Sequence, residues 1–239
     1  MSRLILVRHA QASFLTDEYD RLSETGRRQA AELGRYWTSR ERHFHAVVTG
    51  PRRRHQETAA LAGEQYREAG LSWPEPAVLP ELDEHGIDQF LECGGDALDE
   101  RFPEVRDRRV VLERAVSRTE KHRAFQKLFE SVVTLWARDE VAAPYLETWS
   151  DFSARVSRAV DTLTSSNKRG LETAVFTSVG PISIVLHRIL ACPRQKALEL
   201  GWRLGNCSLT ELVYSRHRMT LDRFNALPHL DADGLLTYR

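Results

Sequence analysis

An α/β fold with a mainly parallel sheet is predicted for this chain by three observations. Short apolar runs, Leu4-Ile5-Leu6-Val7 and Ala46-Val47-Val48-Thr49, lack the alternation of a half-exposed strand and suit strands buried on both faces. Stretches with apolar residues at helical spacing follow them, which is the order of strand–crossover–strand units. Both runs stop abruptly, at Arg8-His9 and at Gly50-Pro51, where a parallel sheet delivers side chains to a ligand crevice.

The elements follow in order. After the first strand, Leu22-Ser23-Glu24-Thr25-Gly26 opens a helix carrying Ala30, Leu33, Tyr36 and Trp37, with Ser23 or Thr25 as its cap. The second strand leads through Gly50-Pro51 into a helix that begins Arg52-Arg53-Arg54-His55. Three arginines there oppose the helix dipole, so a bound anion would explain them, and a solvated basic face is the simpler reading for Arg52 and Arg53. From about residue 96 to 167 the pattern is mostly helical, with Phe125, Leu128, Phe129, Val132 and Trp136, then Phe152, Val156, Val160 and Leu163. Glu172 to Ser178 returns as a strand, and Gly180-Pro181 starts an apolar helix through Leu190. Cys207 to Tyr214 and Met219 to Phe224 alternate as a hairpin at a sheet edge. The chain reads as one domain, residues 1–239, with 96–167 as a helical insertion.

Composition narrows the function. An apolar fraction of 41% over 239 residues supports a sizeable core. Lysine plus arginine equals aspartate plus glutamate, 34 each, so any anion site has to be a local concentration of cations. That balance, with no interleaving of aromatic and basic residues, argues against nucleic acid as a partner. No apolar run is long enough to span a membrane, and the first ten residues lack the basic start and cleavage site of a signal peptide. A cytoplasmic protein with no membrane partner is expected. Cys93, Cys192 and Cys207 are odd in number and far apart, and read as free thiols. His43 and His45 could be half of a metal site but have no third ligand nearby, so neither metal nor cofactor is expected.

Chemistry concentrates at the end of the first strand. A neutral imidazole is a nucleophile toward phosphorus, and the phosphoramidate it forms can be hydrolysed. Such a histidine needs cations beside it. Arg8 next to His9 supplies a guanidinium whose donors match phosphate oxygens and which keeps its charge.

Two blocks carry a resemblance to the histidine phosphatase superfamily, the phosphoglycerate-mutase-like proteins. Arg8-His9-Ala10-Gln11-Ala12-Ser13 with Leu22-Ser23-Glu24-Thr25-Gly26-Arg27-Arg28-Gln29-Ala30 is similar to the family's opening strand and helix. Gly50-Pro51-Arg52-Arg53-Arg54-His55-Gln56-Glu57-Thr58-Ala59 resembles its next block, Ser-Pro-Leu-x-Arg-Ala-x-Gln-Thr-Ala. The resemblance implies a three-layer α/β/α sandwich. It also implies that Arg54 is a second phosphate-binding arginine, and that Gln11 and Ser13 assist in the pocket.

Leu79-Pro80-Glu81-Leu82-Asp83-Glu84 resembles the family segment whose glutamate protonates the leaving group. Glu84 takes that role in this alignment, with Glu81 as the competing assignment. A carboxyl beside phosphate charge has its pKa pushed toward the protonated form that such a role needs. In the same family a Ser-His-Gly-Gly junction supplies a second histidine. Here Thr177-Ser178-Val179-Gly180 stands there, so Ser178 takes the histidine's place as a phosphate ligand without its charge. His55 and His85, adjacent to the matched blocks, are the imidazoles that could act from another direction. Asn225 to Leu230 resembles the family's ending, with His229 structural, while His187 and His217 have no motif around them.

The expected activity is that of a metal-independent phosphomonoester phosphatase working through phosphohistidine on His9, with a small phosphorylated substrate or phosphate as its ligand. The alternatives are a phospholigand-binding or interaction module of the same fold and a phosphomutase, which would have to shield its phosphoenzyme from water. By the same resemblance the insertion caps the site and helps choose the substrate. A homodimer face is its other use.

Overall fold

The computed structural model describes residues 1–13, 20–93, 97–166, 168–216, 218–230 and 234–238. They form two compact units, Met1–Glu84 with Arg155–Arg239, and His85–Ala154. The helical stretch expected over 96–167 falls partly in each, and its two end residues lie outside the described set.

The first unit is built on a sheet. Its elements are β1 (Ser2–Arg8), α1 (Glu24–Thr38), β2 (Ala46–Thr49), α2 (Arg53–Glu68), β3 (Ala77–Val78) and a 3-10 turn at Pro80–Leu82. The second unit holds α3 (Ile87–Cys93), α4 (Ala97–Arg101), α5 (Pro103–Arg114), α6 (Arg118–Ala137) and the start of α7 (Trp149–Thr164), which runs on into the first. There follow β4 (Glu172–Thr177), α8 (Val179–Leu190), α9 (Arg194–Gly201), β5 (Leu209–Ser215) and β6 (Arg218–Ala226).

Six strands lie in the order β3-β2-β4-β1-β5-β6. The first four are parallel to their neighbours, and β5 and β6 add an antiparallel hairpin beside β1. Ile5 and Val7 of β1, with Val47, Ala174 and Phe176, pack against Ala30, Leu33 and Trp37 of α1 and Ala59, Ala62 and Tyr66 of α2. Because strand side chains alternate, Leu4 and Leu6 point to the opposite face, and they are buried too. α8, lying against β1 and β6, brings buried Ile182, Ile184 and Leu186 to the sheet. This is the predicted α/β/α sandwich.

Within the second unit α6 begins with a capping box in which Ser117 accepts from the Glu120 amide and the Glu120 carboxylate accepts from the Ser117 amide. Its Phe129 and Trp136 surround the His85 ring together with Phe152.

Three elements went unpredicted, α3 ahead of the expected helical stretch together with β3 and α9, and one starts late. β3 is two exposed residues in a proline-rich stretch, too short to show a pattern. α9 follows Pro193 with a mixed polar sequence of low amphipathicity. β5 begins at Leu209 rather than Cys207, because Cys207 takes a left-handed φ of 62° and its amide bonds the His9 carbonyl.

Helix α1 meets the loop after β1 closely. Its cap is Ser23, whose Oγ accepts from the Gly26 amide at 3.0 Å and donates to the Gln11 side-chain carbonyl at 2.7 Å. A Cβ on Gly26 would sit 2.1 Å from the Gln11 backbone oxygen, so only glycine fits. Gly26→Ala should lower stability by about 1–3 kcal/mol, a melting point some ~2–12 °C lower. Gly86→Ala, whose Cβ meets none of the described residues within 4 Å, should melt like the parent in the same thermal scan.

Candidate active site

Three parallel strands end level with one another. Arg8 of β1 pairs with Thr177 of β4, and Thr49 of β2 pairs with Phe176 of the same strand. The ladder continues one residue further on each side. The His9 amide bonds the Thr177 carbonyl at 2.8 Å and the Gly50 amide bonds the Phe176 carbonyl at 2.9 Å. Arg8-His9, the start of α2 and Ser178 therefore meet at one edge of the sheet.

Each side chain is held from several directions. The Arg8 guanidinium donates to the Leu204 carbonyl. Arg54 donates to Asp20 at 2.7 Å and lies 3.5 Å from the Ser178 hydroxyl oxygen. Thr58 ties α2 to the loop after β1, donating to the Arg54 carbonyl of its own helix at 2.6 Å and accepting from the Ala10 amide at 3.1 Å. Both arginines are almost fully buried, 2% and 3% exposed. Gln11 is anchored at its amide by the Gln29 side chain as well as through Ser23. The amide of Ser13 bonds the Arg21 carbonyl.

Asp20 is the residue that sequence reasoning missed. One carboxylate oxygen takes Arg54 and the other accepts from the Arg53 amide at 2.7 Å, capping a helix that has no side-chain cap of its own. The arginine-rich helix start thus carries an internal anion. Arg52 pairs with Asp83 at 2.6 Å and Arg53 with Glu57 at 2.7 Å, so the latter two are ion-paired as well, Arg53 being half exposed. Asp20 follows Asp17, Glu18 and Tyr19 in the sequence, and no pattern separates it from those two acids.

His9 makes one hydrogen bond that fixes its tautomer. Nδ1 lies 2.8 Å from the Ala10 carbonyl, which can only accept, so Nδ1 carries the proton and Nε2 keeps its lone pair. Burial first, then the charges of Arg54 and Arg8 and the His55 ring, hold its pKa well below the ordinary 6.5, against a small opposing effect of the Ala10 carbonyl. The ring is neutral at physiological pH.

His55, on α2 beside Arg54, is fully buried with its ring centroid 5.7 Å from that of His9. Its Nε2 is 2.6 Å from Ser178 Oγ. Burial, then Arg54 and Arg52, hold it too well below 6.5, against an opposing hydrogen bond to the Gly50 backbone. Glu84 reaches the same strand end, its carboxylate accepting from the Gly180 amide in the first turn of α8 at 3.1 Å. Glu81 uses its backbone carbonyl to receive Arg155. Of the two extra imidazoles, His55 joins the cluster, whereas the His85 ring is packed among the aromatic residues of its own unit.

The remaining candidates have structural surroundings. His45 Nδ1 accepts from the Glu172 amide at 3.1 Å. His187 Nδ1 lies 2.6 Å from the Cys192 carbonyl, and burial lowers the pKa of His229 to about 4. Cys192 and Cys207 are free thiols, while His217 and the Cys93 side chain lie outside the described residues. Among the described residues no cluster of three metal-ligand side chains occurs, and no helix is long and apolar enough to cross a membrane.

A sequence model of the histidine phosphatase superfamily (branch 1) matches residues 4–138 and 112–227. No curated protein sequence matches the chain. Among solved structures, phosphoserine phosphatase from Entamoeba histolytica, in complex with phosphoserine, is 17% identical, covering 96% of this chain and 100% of its own, with a TM-score of 0.61. A mycobacterial glucosyl-3-phosphoglycerate phosphatase is 22% identical, covering 94% and 98%, with a TM-score of 0.62. YhfR from Bacillus stearothermophilus is 16% identical, covering 96% and 99%, at 0.64. These likenesses show the shared fold.

The depressed histidines make stability pH-dependent. Above about 6.5 these rings are neutral in both states. Below it the unfolded chain takes up protons that the native state excludes, so stability falls toward acid. The slope is up to about 1.4 kcal/mol per pH unit for each of His9, His55 and His229. Melting temperature should fall between about pH 7 and about pH 5, and His229→Leu should flatten the decline. A profile level over that range would contradict the neutral assignment.

Proposed function

Because the chain belongs to the histidine phosphatase superfamily, we propose that it is a phosphomonoester phosphatase that needs no metal. The observation that carries the reading is His9, a neutral buried imidazole with its Nε2 lone pair available, set beside Arg8 and Arg54 at the ends of aligned strands.

In this reading Nε2 of His9 attacks phosphorus as the bond from phosphorus to the leaving oxygen breaks, and the phosphoryl group passes to His9. Arg8 and Arg54 neutralise the charge on the equatorial oxygens, and their burial strengthens that effect by excluding water. Keeping the imidazole uncharged is their second contribution, since a protonated ring could not attack. Ser178 adds a hydroxyl at the same oxygens, with Gln11 and Ser13 completing the loop beside them. Glu84 gives its proton to the leaving alkoxide and, as carboxylate, then takes one from the water that releases phosphate from His9. A small phosphorylated molecule is the proposed substrate class. The named phosphatases among the structural neighbours supply the precedent for phosphate-ester chemistry on this fold, and at their level of identity no substrate is carried over.

Asp20 bears on how the substrate is received. Its carboxylate lies on Arg54, so an arriving phosphate shares or displaces that contact. Phosphate, with more charge and more acceptor oxygens, competes well against a half-exposed carboxylate.

The test is turnover of p-nitrophenyl phosphate in a chelator-treated preparation, comparing the native chain with His9→Ala and Arg54→Ala. The expected outcome is loss of about a thousandfold or more with His9→Ala, and about a hundredfold or more with Arg54→Ala. Acid quenching of the native enzyme with labelled substrate should trap an acid-labile phosphoryl group, absent from His9→Ala. Equal activity in the native and His9→Ala forms would sink the mechanism. Phosphate binding without turnover in any form would favour the ligand-binding module.

A further inference from the structure

We propose that Arg155 is a positioning residue for Glu84, gripping the backbone just ahead of it so that the Glu84 carboxyl meets the leaving oxygen of the substrate. The inference rests on the phosphatase reading, in which Glu84 supplies that proton, and adds the residue that aims it.

Glu84 lies outside any helix or strand, two residues after the 3-10 turn at Pro80–Leu82. An acid on irregular chain is aimed only as well as its backbone is held. Arg155 reaches that backbone from α7, its Nη1 donating to the Glu81 carbonyl at 2.8 Å and to the Asp83 carbonyl at 3.0 Å. One nitrogen with two hydrogens thus bridges carbonyls two residues apart and fixes the bend of the chain between them. The carbonyl in between, that of Leu82, accepts from the Thr177 hydroxyl at the end of β4 at 2.7 Å.

The peptide group that joins Asp83 to Glu84 is gripped at both ends. Its carbonyl accepts from Arg155, and its N–H donates to the Asp83 carboxylate at 2.7 Å. The same carboxylate oxygen takes Arg52 Nε at 2.6 Å. A planar peptide bonded on both sides cannot turn without breaking one of those contacts. Its orientation fixes where the Glu84 side chain leaves the backbone, and the carboxylate then accepts from the Gly180 amide at 3.1 Å. The Asp83 carboxylate is local to the peptide it grips and about a third exposed, whereas Arg155 ties that peptide to a helix anchored by buried Val156 and Val160. Releasing Arg155 therefore frees the acid to swing away from the leaving oxygen, and a displacement of about 1 Å can cost about a hundredfold in rate.

A positioning role makes the loss depend on the leaving group. p-Nitrophenolate departs readily without a proton at neutral pH and phenolate does not, so phenyl phosphate needs Glu84 far more than p-nitrophenyl phosphate does. A residue that only stabilises the fold lowers both alike.

The experiment uses the full chain as Arg155→Met, Glu84→Gln and the double variant. It measures kcat/KM for the two esters, which reports the step that forms phosphohistidine, and thermal melting checks that each variant is folded. Glu84→Gln is expected to lower kcat/KM for phenyl phosphate about a hundredfold or more and Arg155→Met about tenfold or more, each changing that for p-nitrophenyl phosphate less than about threefold. The double variant is expected to fall no lower than Glu84→Gln, because Arg155 acts through it. With Glu84→Gln behaving so, equal losses on the two esters in Arg155→Met, an unchanged value for phenyl phosphate, or losses that multiply in the double variant would each overturn the positioning role and leave Glu84 as the acid. If Glu84→Gln treats the two esters alike, the acid assignment fails and takes the positioning role with it. A native chain that turns over neither ester removes both. If Arg155→Met does not fold, Arg155→Lys, which keeps the charge and loses the planar fork, is read in its place.

Discussion

The site depends on a register. β4 lies between β1 and β2, pairs with both in parallel, and all three stop at the same level, so that whatever residues follow them meet. Ladder bonds from the His9 and Gly50 amides to β4 carry that alignment past the strands and into the turns. A one-residue slip would turn every side chain to the opposite face, separating Arg8 from His9's surroundings and emptying the core of Ile5 and Val7 at once. The buried apolar faces therefore enforce the geometry of the polar end.

Electrostatics then follows from burial. Two guanidinium groups with almost no solvent contact set a strongly positive potential at the strand ends, in a chain whose total charge is zero. Burial first and this potential second keep both histidines uncharged, the potential draws in an anion, and Asp20 moderates it through Arg54. The acid that does so also closes the start of α2, so the neutralisation of an arginine and the capping of a helix are one contact.

Much of this was legible from residues. The non-alternating runs gave β1 and β2, the helical spacing gave α1, and the stop at Arg8-His9 pointed to the crevice. The hairpin of β5 and β6 was also readable, because β6 alternates between exposed and half-buried positions, while β5 is buried along nearly all its length. What escaped shares a physical cause: it is decided by contacts between distant segments. β3 is defined only by the partner strand it borders. Asp20 reaches Arg54 across 34 positions, and Thr58 links Ala10 to Arg54 across the turn. Among the candidate residues, His55 and His85 were equivalent in sequence. Their separation into one ring beside Ser178 and another among Phe129, Trp136 and Phe152 comes from tertiary packing alone.

Gly50 carries the last consequence. Its missing side chain is where the His55 ring rests, so any other residue at position 50 collides with that ring. Histidine at 55 thus goes with glycine at 50, and its ring meets the hydroxyl of the residue after β4. The three positions form a heritable unit scattered over more than 120 residues. A glycine, a histidine five residues on and a serine ending a later strand make a joint signature by which other chains built the same way can be recognised.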